Sequence, residues 1–128
     1  MRVTISALKR AMIQDNTVLL PEDKAAFLVR VQLTNCENYD DFHYLMEKSG
    51  FSRSIEDLGG KPRKLPDATY FFSDQPEKTR AKEVHAKVSQ VVRAYRIETE
   101  QIEVESQIIV VAAREAWFDL EEAPVEQD

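Results

Sequence analysis

The sequence contains a single cysteine and no long apolar run, and both scarcities exclude classes of protein. Cys36 has no second cysteine for an intramolecular disulfide, which argues against a disulfide-stabilised secreted domain and for a reducing compartment. The longest strongly apolar run, Ile108–Ala113, is far shorter than the roughly 20 residues that a membrane helix requires. The amino-terminal residues also lack the continuous apolar stretch and the small-residue cleavage site of a secretory signal. We therefore expect a soluble cytoplasmic protein that does not associate with membranes.

Positive charge is scarce as well. The formal net charge is −6, so the chain is not a globally basic nucleic-acid binder. Residues 1–97 hold 16 Lys and Arg against 13 Asp and Glu, whereas residues 98–128 hold one Arg against ten acids. Such an acidic end is typical of a solvated, partly disordered tail. It is alternatively a polyanion mimic that occupies a partner's nucleic-acid site or shields the basic face of the protein itself.

A chain of 128 residues accommodates one domain with a substantial core. We divide it into an N-terminal extension over residues 1–24, a domain over residues 25–120 and an acidic tail over residues 121–128. Within the extension, apolar residues at helical spacing predict a short amphipathic helix over Ser6–Ile13. This helix would cover a sheet face or exchange with a partner subunit.

The first half of the domain predicts a strand followed by a helix. Apolar alternation places the strand over Ala25–Leu33. Asn38 then has the position of a helix N-cap, with acids in the first turn and an apolar stripe behind them. We expect Gly50 to end this helix in the left-handed conformation and Phe51 to pack back against it.

The second half predicts three further strands and one helix. They are, in order, strand Phe51–Glu56, the loop Asp57–Arg63, strand Ala68–Ser73, a helix entered through Ser73–Glu77 with an apolar stripe from Ala81 to Tyr95, and strand Ser106–Ala113. The last strand is apolar on both faces, so we expect both of its faces to be covered.

The resulting order is β-α-β-β-α-β. This order is typical of the ferredoxin-like split β-α-β plan, an α+β fold with four antiparallel strands and both helices on one face of the sheet. The open face of such a sheet is where these domains usually dimerise or bind a partner.

Two histidines are candidates for acid–base chemistry at neutral pH. His43 falls in the first helix, beside the buried stripe, and His85 has the same position in the second helix. The ordinary alternative for both is a boundary or surface histidine. No pair of histidines or carboxylates has the spacing of metal ligands, so we expect neither a metal nor another cofactor.

Nucleic-acid contact requires clustered cations, and single-stranded RNA also stacks on exposed aromatic rings. The candidate phosphate contacts are Arg30, Arg53, Lys61, Arg63 and Lys64. Tyr70 with Phe72, or Phe71 alone, could supply a stacking platform. The ordinary alternative is that the cations form a solvated face and the aromatic residues belong to the core.

Three stretches resemble the GhoS family of small ferredoxin-like proteins. They are Phe27–Val31, Phe42–Ile55 and Leu65–Tyr70, with Trp117 near the end of the similar region, which reaches from Phe27 to about Leu120. The resemblance implies an RNA-directed protein, since the best-known member is the antitoxin of a type V toxin–antitoxin system and cleaves the message of its membrane toxin. Many other members resemble phage and plasmid proteins.

The resemblance also implies two functional positions, an acid near the end of the first strand and a basic residue on the first helix. They correspond to Gln32 and His43. Glutamine cannot serve as a carboxylate base or as an anionic metal ligand, whereas histidine can contact phosphate or act as an acid.

Two functions follow. The first is a GhoS-like antitoxin or RNA-directed protein, either an RNA binder or a weak endoribonuclease with His43 as the catalytic residue. The second is a non-enzymatic module of phage or mobile-element origin that forms a homodimer through the open sheet face and binds a host protein, with the acidic tail as a nucleic-acid mimic.

Overall fold

The computed structural model describes residues 17–20 and 22–124. Its strands are β1 (Thr17–Leu19), β2 (Lys24–Thr34), β3 (Ser54–Glu56), β4 (Pro62–Lys64), β5 (Thr69–Pro76), β6 (Glu105–Ala113) and β7 (Glu115–Trp117). The described helices are α1 (Tyr39–Lys48) and α2 (Ala81–Glu98). The helix predicted over Ser6–Ile13 lies outside the described residues.

The described elements form an α+β fold, as predicted, around an antiparallel sheet of three strands in the order β5-β2-β6. β2 is central, and its Val29 pairs with Tyr70 of β5 on one side and with Val110 of β6 on the other. Two smaller sheets accompany it, in which β1 pairs with β7 and β3 pairs with β4.

The predicted sheet of four strands is wrong for the described residues. The segment expected as the second strand, Phe51–Glu56, meets the sheet at a single bridge between Ser52 and Phe71. The N–H of Ser52 donates to the carbonyl of Phe71 at 2.8 Å, and the N–H of Phe71 donates back at 2.7 Å. Beyond this bridge the chain leaves the edge of β5.

A local hairpin explains why the chain leaves β5. The carboxylate of Asp57 accepts the N–H of Lys61 at 3.0 Å and the guanidinium of Arg63 at 2.9 Å, which turns the chain back on itself. The backbone of β3 therefore finds its partners in β4, and its hydrogen-bonding groups are satisfied without β5. The predicted loop Asp57–Arg63 is shorter than expected, because β4 already begins at Pro62.

Both helices pack on one face of the sheet, toward which every second residue of β2 points. The buried residues of this core are Phe27, Val29, Val31, Leu33, Phe42, Met46, Phe51, Tyr70, Phe72, Val84, Val88, Val91, Val92, Tyr95 and Val104. The apolar stripes predicted for the two helices are therefore confirmed. Removing this apolar surface from water is the main favourable contribution to folding.

The second face of the sheet is covered along only part of its length. Its buried residues Ala26, Ile55, Leu65 and Phe71 pack with the half-buried Leu20, Ala116, Phe118 and Leu120. Farther along the same face, Leu28, Ile109 and Val111 are 41%, 58% and 50% exposed. The expectation that both faces of the last strand are covered is therefore wrong within residues 17–20 and 22–124.

The ends of α1 follow the sequence prediction. The side chain of Asn38 accepts the N–H of Asp40 at 3.0 Å and caps the first turn. Gly50 has a φ of +96°, and its N–H donates to the carbonyl of Glu47 at 3.0 Å. The N–H of Phe51 donates to the carbonyl of Met46 at 3.0 Å, which completes a Schellman motif.

The helix entry predicted over Ser73–Glu77 is wrong, because most of this segment continues β5 to Pro76. Lys24 at the start of β2 pairs with Pro76. β2 begins one residue earlier than predicted, and this pairing extends β5 to Pro76. The second helix begins only at Ala81, and its N-cap residue Arg80 makes no capping hydrogen bond through its side chain.

Candidate functional site

A groove of about 720 Å³ lies between the end of α1, the β3–β4 hairpin and the carboxyl-terminal segment. Its lining residues are Glu47, Gly50, Phe51, Ser52, Arg53, Ser54, Pro62, Lys64, Ala123 and Pro124. Arg53 and Lys64 are neighbours because Ser54 pairs with Lys64 and the N–H of Leu65 donates to the carbonyl of Arg53 at 2.9 Å. We call this feature the Arg53–Lys64 groove.

The two cations of the groove form no ion pair with any residue in the described part of the chain. Arg63 differs, since its Nε donates to Oδ2 of Asp57 at 2.9 Å. Hydrogen bonds from the backbone of the following loop and from Arg63 hold the pKa of Asp57 below its usual value. Arg63 therefore stabilises the hairpin, while Arg53 and Lys64 have no acidic partner among residues 17–20 and 22–124.

His43 lies on α1 with its ring toward the sheet and is only 9% exposed. Its Nδ1 is 2.5 Å from the hydroxyl of Tyr70 on β5, and its ring packs against Tyr39. Burial lowers the pKa of His43, and the positive charge of Arg53 lowers it further. The imidazole is therefore neutral at pH 7. Of the two positions that the ordinary alternative allowed, boundary and surface, the contact with Tyr70 beneath the helix excludes the surface.

The hydrogen bond to Tyr70 selects the tautomer of His43. Tyr70 is fully buried, and Nδ1 of His43 is the one hydrogen-bond partner of its hydroxyl among the described residues. Burial also raises the pKa of Tyr70, so the hydroxyl keeps its proton. A buried hydroxyl must donate that proton, and Nδ1 is its acceptor. The remaining ring hydrogen of His43 is then on Nε2.

Nε2 of His43 is not completely enclosed by the described residues. Within the described residues, no buried side-chain nitrogen or oxygen atom lacks a hydrogen-bond partner, yet Nε2 makes no hydrogen bond. It must therefore contact solvent. A neutral imidazole with its hydrogen on Nε2 is a hydrogen-bond donor and cannot accept a proton at that atom. This geometry suits contact with a phosphate oxygen better than general-base chemistry.

Two side chains connect His43 to the groove. Arg53 lines the groove and is close enough to His43 for its charge to depress the pKa of the imidazole. Glu47, which also lines the groove, follows His43 by one helical turn on α1. The structure thus brings Arg53 and Lys64 into one groove, whereas His43 lies outside its lining, one helical turn before Glu47.

The other predicted site residues lie elsewhere. Arg30 is exposed on the sheet face opposite the helices, where it pairs with Ile109 and lies beside Gln32 in a small depression. His43 and Gln32 are therefore on opposite faces, and the two positions implied by the GhoS resemblance do not form one site. Lys61 is exposed in the β3–β4 turn, outside the groove lining.

The predicted aromatic stacking platform is wrong. Tyr70, Phe71 and Phe72 are 0%, 9% and 4% exposed, so no base can stack on their faces. Phe72 is instead stacked on Phe51, with ring centroids 4.3 Å apart. These rings belong to the core, as the ordinary alternative stated.

A second polar cluster lies at the other end of the sheet. The hydroxyl of Tyr95 is 3.0 Å from Sγ of Cys36 and 3.2 Å from both the carbonyl of Asn38 and Oε1 of Gln101. Burial, together with the hydrogen bond to Cys36, raises the pKa of Tyr95 to about 12. This cluster ties the end of α2 to the start of α1, and the Tyr95 hydroxyl keeps its proton at neutral pH. His85 is exposed on α2 and makes no ring contact with His43.

No group of three or more His, Cys, Asp or Glu side chains in residues 17–20 and 22–124 converges as metal ligands would. The described helices contain none that is long and apolar enough to cross a membrane.

The sequence prediction missed Tyr70 as the partner of His43 and missed residues 123–124 as a wall of the groove. The only sequence signal for Tyr70 was its place in an aromatic strand. The wall was not predictable, because it depends on a pairing between β4 and the end of the chain.

Comparison with known proteins adds no relative, since no protein-family model, no curated protein and no solved structure matches the chain. The resemblance to the GhoS family stays a prediction from the sequence.

Proposed function

We propose that this protein binds single-stranded RNA through its phosphate backbone at the Arg53–Lys64 groove. The observation that carries the proposal is the pair of neighbouring cations in one groove without an ion pair among the described residues. Cations placed in this way attract phosphate groups and release counterions when phosphate binds. The resemblance to the GhoS family supports RNA over other polyanions.

His43 extends this site as a neutral donor. Its Nε2–H can donate to a phosphate oxygen, while Arg53 beside it supplies the charge. The hydroxyls of Ser52 and Ser54, 3.3 Å apart at the lip of the groove, can contact the ribose or phosphate. This arrangement supports an RNA-binding antitoxin better than the endoribonuclease alternative, which needs a base at Nε2.

Binding will be weak, because the lining includes Glu47. Two cations and one carboxylate leave the groove with one net positive charge. Few phosphate contacts produce modest affinity and a shallow salt dependence, since the logarithm of the binding constant falls by about 0.9 for each neutralised phosphate per tenfold increase in salt.

The test is fluorescence anisotropy with a labelled single-stranded RNA of about 16 nucleotides, the upper range for one small binding domain. Arg53→Gln should weaken binding roughly tenfold, because a charge-assisted hydrogen bond contributes about 1.5–3 kcal/mol. Lys64→Gln should weaken it less and make the salt dependence shallower. Lys82→Gln, an equal charge loss on exposed α2, should leave the affinity within about twofold of the wild type.

Equal affinities of Arg53→Gln and Lys82→Gln would contradict the assignment of the groove. The same RNA also tests cleavage. If wild-type protein cleaves RNA and His43→Gln does not, the protein is an endoribonuclease and the donor role of His43 is wrong.

The second candidate function is a protein-binding module that dimerises through the open sheet face. The observation in its favour is the exposure of Leu28, Ile109 and Val111 on neighbouring strands of that face. A second copy would place the same patch against itself across a two-fold axis. Sedimentation velocity tests this function. The wild type should be a dimer, and Val111→Lys should convert it to a monomer.

Two further expectations belong with this proposal. The order β6-β2-β5, with Ser52 bridged to the free edge of β5, supports a ferredoxin-like plan whose fourth strand is reduced to one bridge. Cys36 is free and half-buried, which supports the reducing cytoplasm as the location.

A further inference from the structure

The two outer edges of the central sheet differ. On the outer edge of β5, Phe71 is bridged to Ser52, and Asp74 has a left-handed φ of +57°. The strand then ends at Pro76, which has no N–H to donate. Interruptions of this kind prevent an edge strand from pairing with another chain. The opposite edge is β6, which pairs only with β2 among residues 17–20 and 22–124.

The backbone of β6 is turned outward at every second residue. The N–H of Val31 donates to the carbonyl of Ala68 at 2.9 Å, on the β5 side of β2. Val31 and its alternate neighbours in β2 therefore direct their backbone groups away from β6. The residues between them bond to β6 at Glu105, Gln107, Ile109 and Val111. The backbone groups that point away from the sheet are those of Ser106, Ile108, Val110 and Ala112.

This edge carries none of the features that interrupt β5. β6 is nine residues long, contains no proline, lysine or arginine, and keeps one register with β2 along its whole length. No hydrogen bond in the described part of the chain reaches its outward groups. Its core-facing Ile108 and Val110 are only half-buried, whereas their partners Val31 and Val29 are fully buried. The edge therefore offers backbone hydrogen-bonding groups beside apolar side chains.

We propose that β6 pairs antiparallel with β6 of a second copy about a two-fold axis at Ile109, which joins two central sheets into one sheet. Ile109 is the middle residue of the strand. An axis at this residue keeps side chains of the same face opposite one another, as a continuous sheet requires. It pairs Ile108 with Val110 of the second copy, and Ser106 with Ala112. The outward residues then form four pairs with two hydrogen bonds each, about eight in all.

Two features favour a second copy as the partner. The pairing places Glu105 opposite Ala113 of the second copy, one residue from its Arg114. Neither Glu105 nor Arg114 forms an ion pair within the residues that the structure describes. The assembly also closes at two copies, because the outer edges of the joined sheet are the interrupted edges of β5.

The inference does not rest on the proposed RNA binding. The Arg53–Lys64 groove includes Ser52, which is bridged to β5 at the edge of the sheet opposite β6. The edge dimer also differs from a dimer in which the open faces contact each other. In the edge dimer, Ile109 and Val111 of both copies lie side by side on one continuous face.

The first test uses two variants that change the same two exposed positions. The double-lysine variant, Ser106→Lys with Ala112→Lys, places like charges opposite each other in the proposed register. The lysine–glutamate variant, Ser106→Lys with Ala112→Glu, places opposite charges there instead. Within one chain the two positions are about 20 Å apart, which is too far for a strong interaction at physiological salt.

Sedimentation velocity measures the outcome. The wild type should be a dimer of the 14.8 kDa chain. The double-lysine variant should have a dissociation constant at least about tenfold larger than that of the lysine–glutamate variant, because each dimer contains two of these cross-strand pairs. A monomeric wild type, or equal dissociation constants for the two variants, would overturn the inference.

Val111→Lys separates the edge dimer from the face-to-face dimer. In the edge dimer, Val111 lies opposite Gln107 of the second copy, and an ammonium group there still reaches water on the open face, so the dimer should persist. A dimer that Val111→Lys dissociates and the double-lysine variant leaves intact is the face-to-face dimer, and the edge pairing is then wrong.

Amide hydrogen exchange locates the interface. The N–H groups of Ile108 and Val110 should exchange more slowly as the protein concentration rises, because they are bonded only in the dimer. Those of Ile109 and Val111 bond to β2 within each copy and are the internal controls, with slow exchange at every concentration. Protection of Ile108 and Val110 that does not depend on concentration would mean that one chain covers its own edge, and a second copy would not be the partner.

Discussion

The two faces of the central sheet are built from the same three strands, yet only one of them is a continuous core. On the face toward α1 and α2, Phe27, Val29 and Val31 of β2 are fully buried. On the opposite face, the neighbouring Leu28 is 41% exposed, and Val111 of the adjacent strand is 50% exposed. Apolar alternation in a strand therefore reports which residues share a face, while the elements packed above decide how much each residue contributes to stability.

Truncating one valine on each face should give the largest difference in the free energy of unfolding. Val29→Ala removes two methyl groups from a filled core and should reduce the free energy of unfolding by about 2 kcal/mol. Val111→Ala makes the same chemical change on the adjacent strand and should cost less than about 0.5 kcal/mol. Urea denaturation of both variants measures the difference. Equal losses would mean that the second face is as well packed as the first.

The hydrogen bond between Tyr70 and His43 should make the next largest contribution. Tyr70→Phe leaves Nδ1 of His43 buried without a donor and should reduce the free energy of unfolding by about 1–2 kcal/mol. Tyr44→Phe is the matched control, because Tyr44 is 59% exposed on the same helix as His43. If the two variants unfold at the same urea concentration, the tautomer assigned to His43 loses its support.

The buried position of His43 on the covered face should make the stability of the protein depend on pH. Its folded-state pKa is below the ordinary value of 6.5, so the unfolded chain binds the proton first. Stability should therefore fall as the pH drops below about 6.5, by at most about 1.4 kcal/mol per pH unit, until the folded-state pKa is reached.

One substitution and its comparison variant test the origin of this pH dependence. His43→Gln should flatten the curve of unfolding free energy against pH, and His85→Gln, which replaces the exposed histidine of α2, is the matched comparison. A curve that keeps its slope in His43→Gln would assign the titration to another group.

Charges on the open face should have the smallest effect on stability. Ile109→Lys and Val111→Lys each place an ammonium group at a position that already contacts water. Each should change the free energy of unfolding by less than about 0.5 kcal/mol. Thermal unfolding together with sedimentation velocity checks this. A loss above about 1.5 kcal/mol would mean that the second face is buried in solution.

The sequence predicted the elements whose signals are local. The N-cap at Asn38, the left-handed Gly50 and the apolar stripe of α2 each depend on a few neighbouring residues, and all are confirmed. The errors involve long-range pairing. Lys24 extended β5 to Pro76, and the Asp57 turn diverted the second strand into a hairpin.

The candidate site divides in the same way. The sequence predicted two cations, Arg53 and Lys64, as phosphate contacts and His43 as a functional histidine. The groove that Arg53 and Lys64 share was not predicted, since it depends on the pairing of β3 with β4 and on the hydrogen bond from Leu65 to Arg53. Arg30 and Arg63 had the same sequence signal, but one lies on the opposite face and the other pairs with Asp57.

By itself, the sequence determined an α+β chain with two amphipathic helices, a central apolar strand and an acidic end, because composition, caps and hydrophobic periodicity act over a few residues. Only the tertiary structure decided that the central sheet has three strands among the described residues, that His43 is buried against Tyr70, and that residues 121–124 pair along β4 beside the Arg53–Lys64 groove. Each of these depends on competition among backbone partners far apart in the chain, and that competition is settled by packing and hydrogen-bond satisfaction over the whole fold.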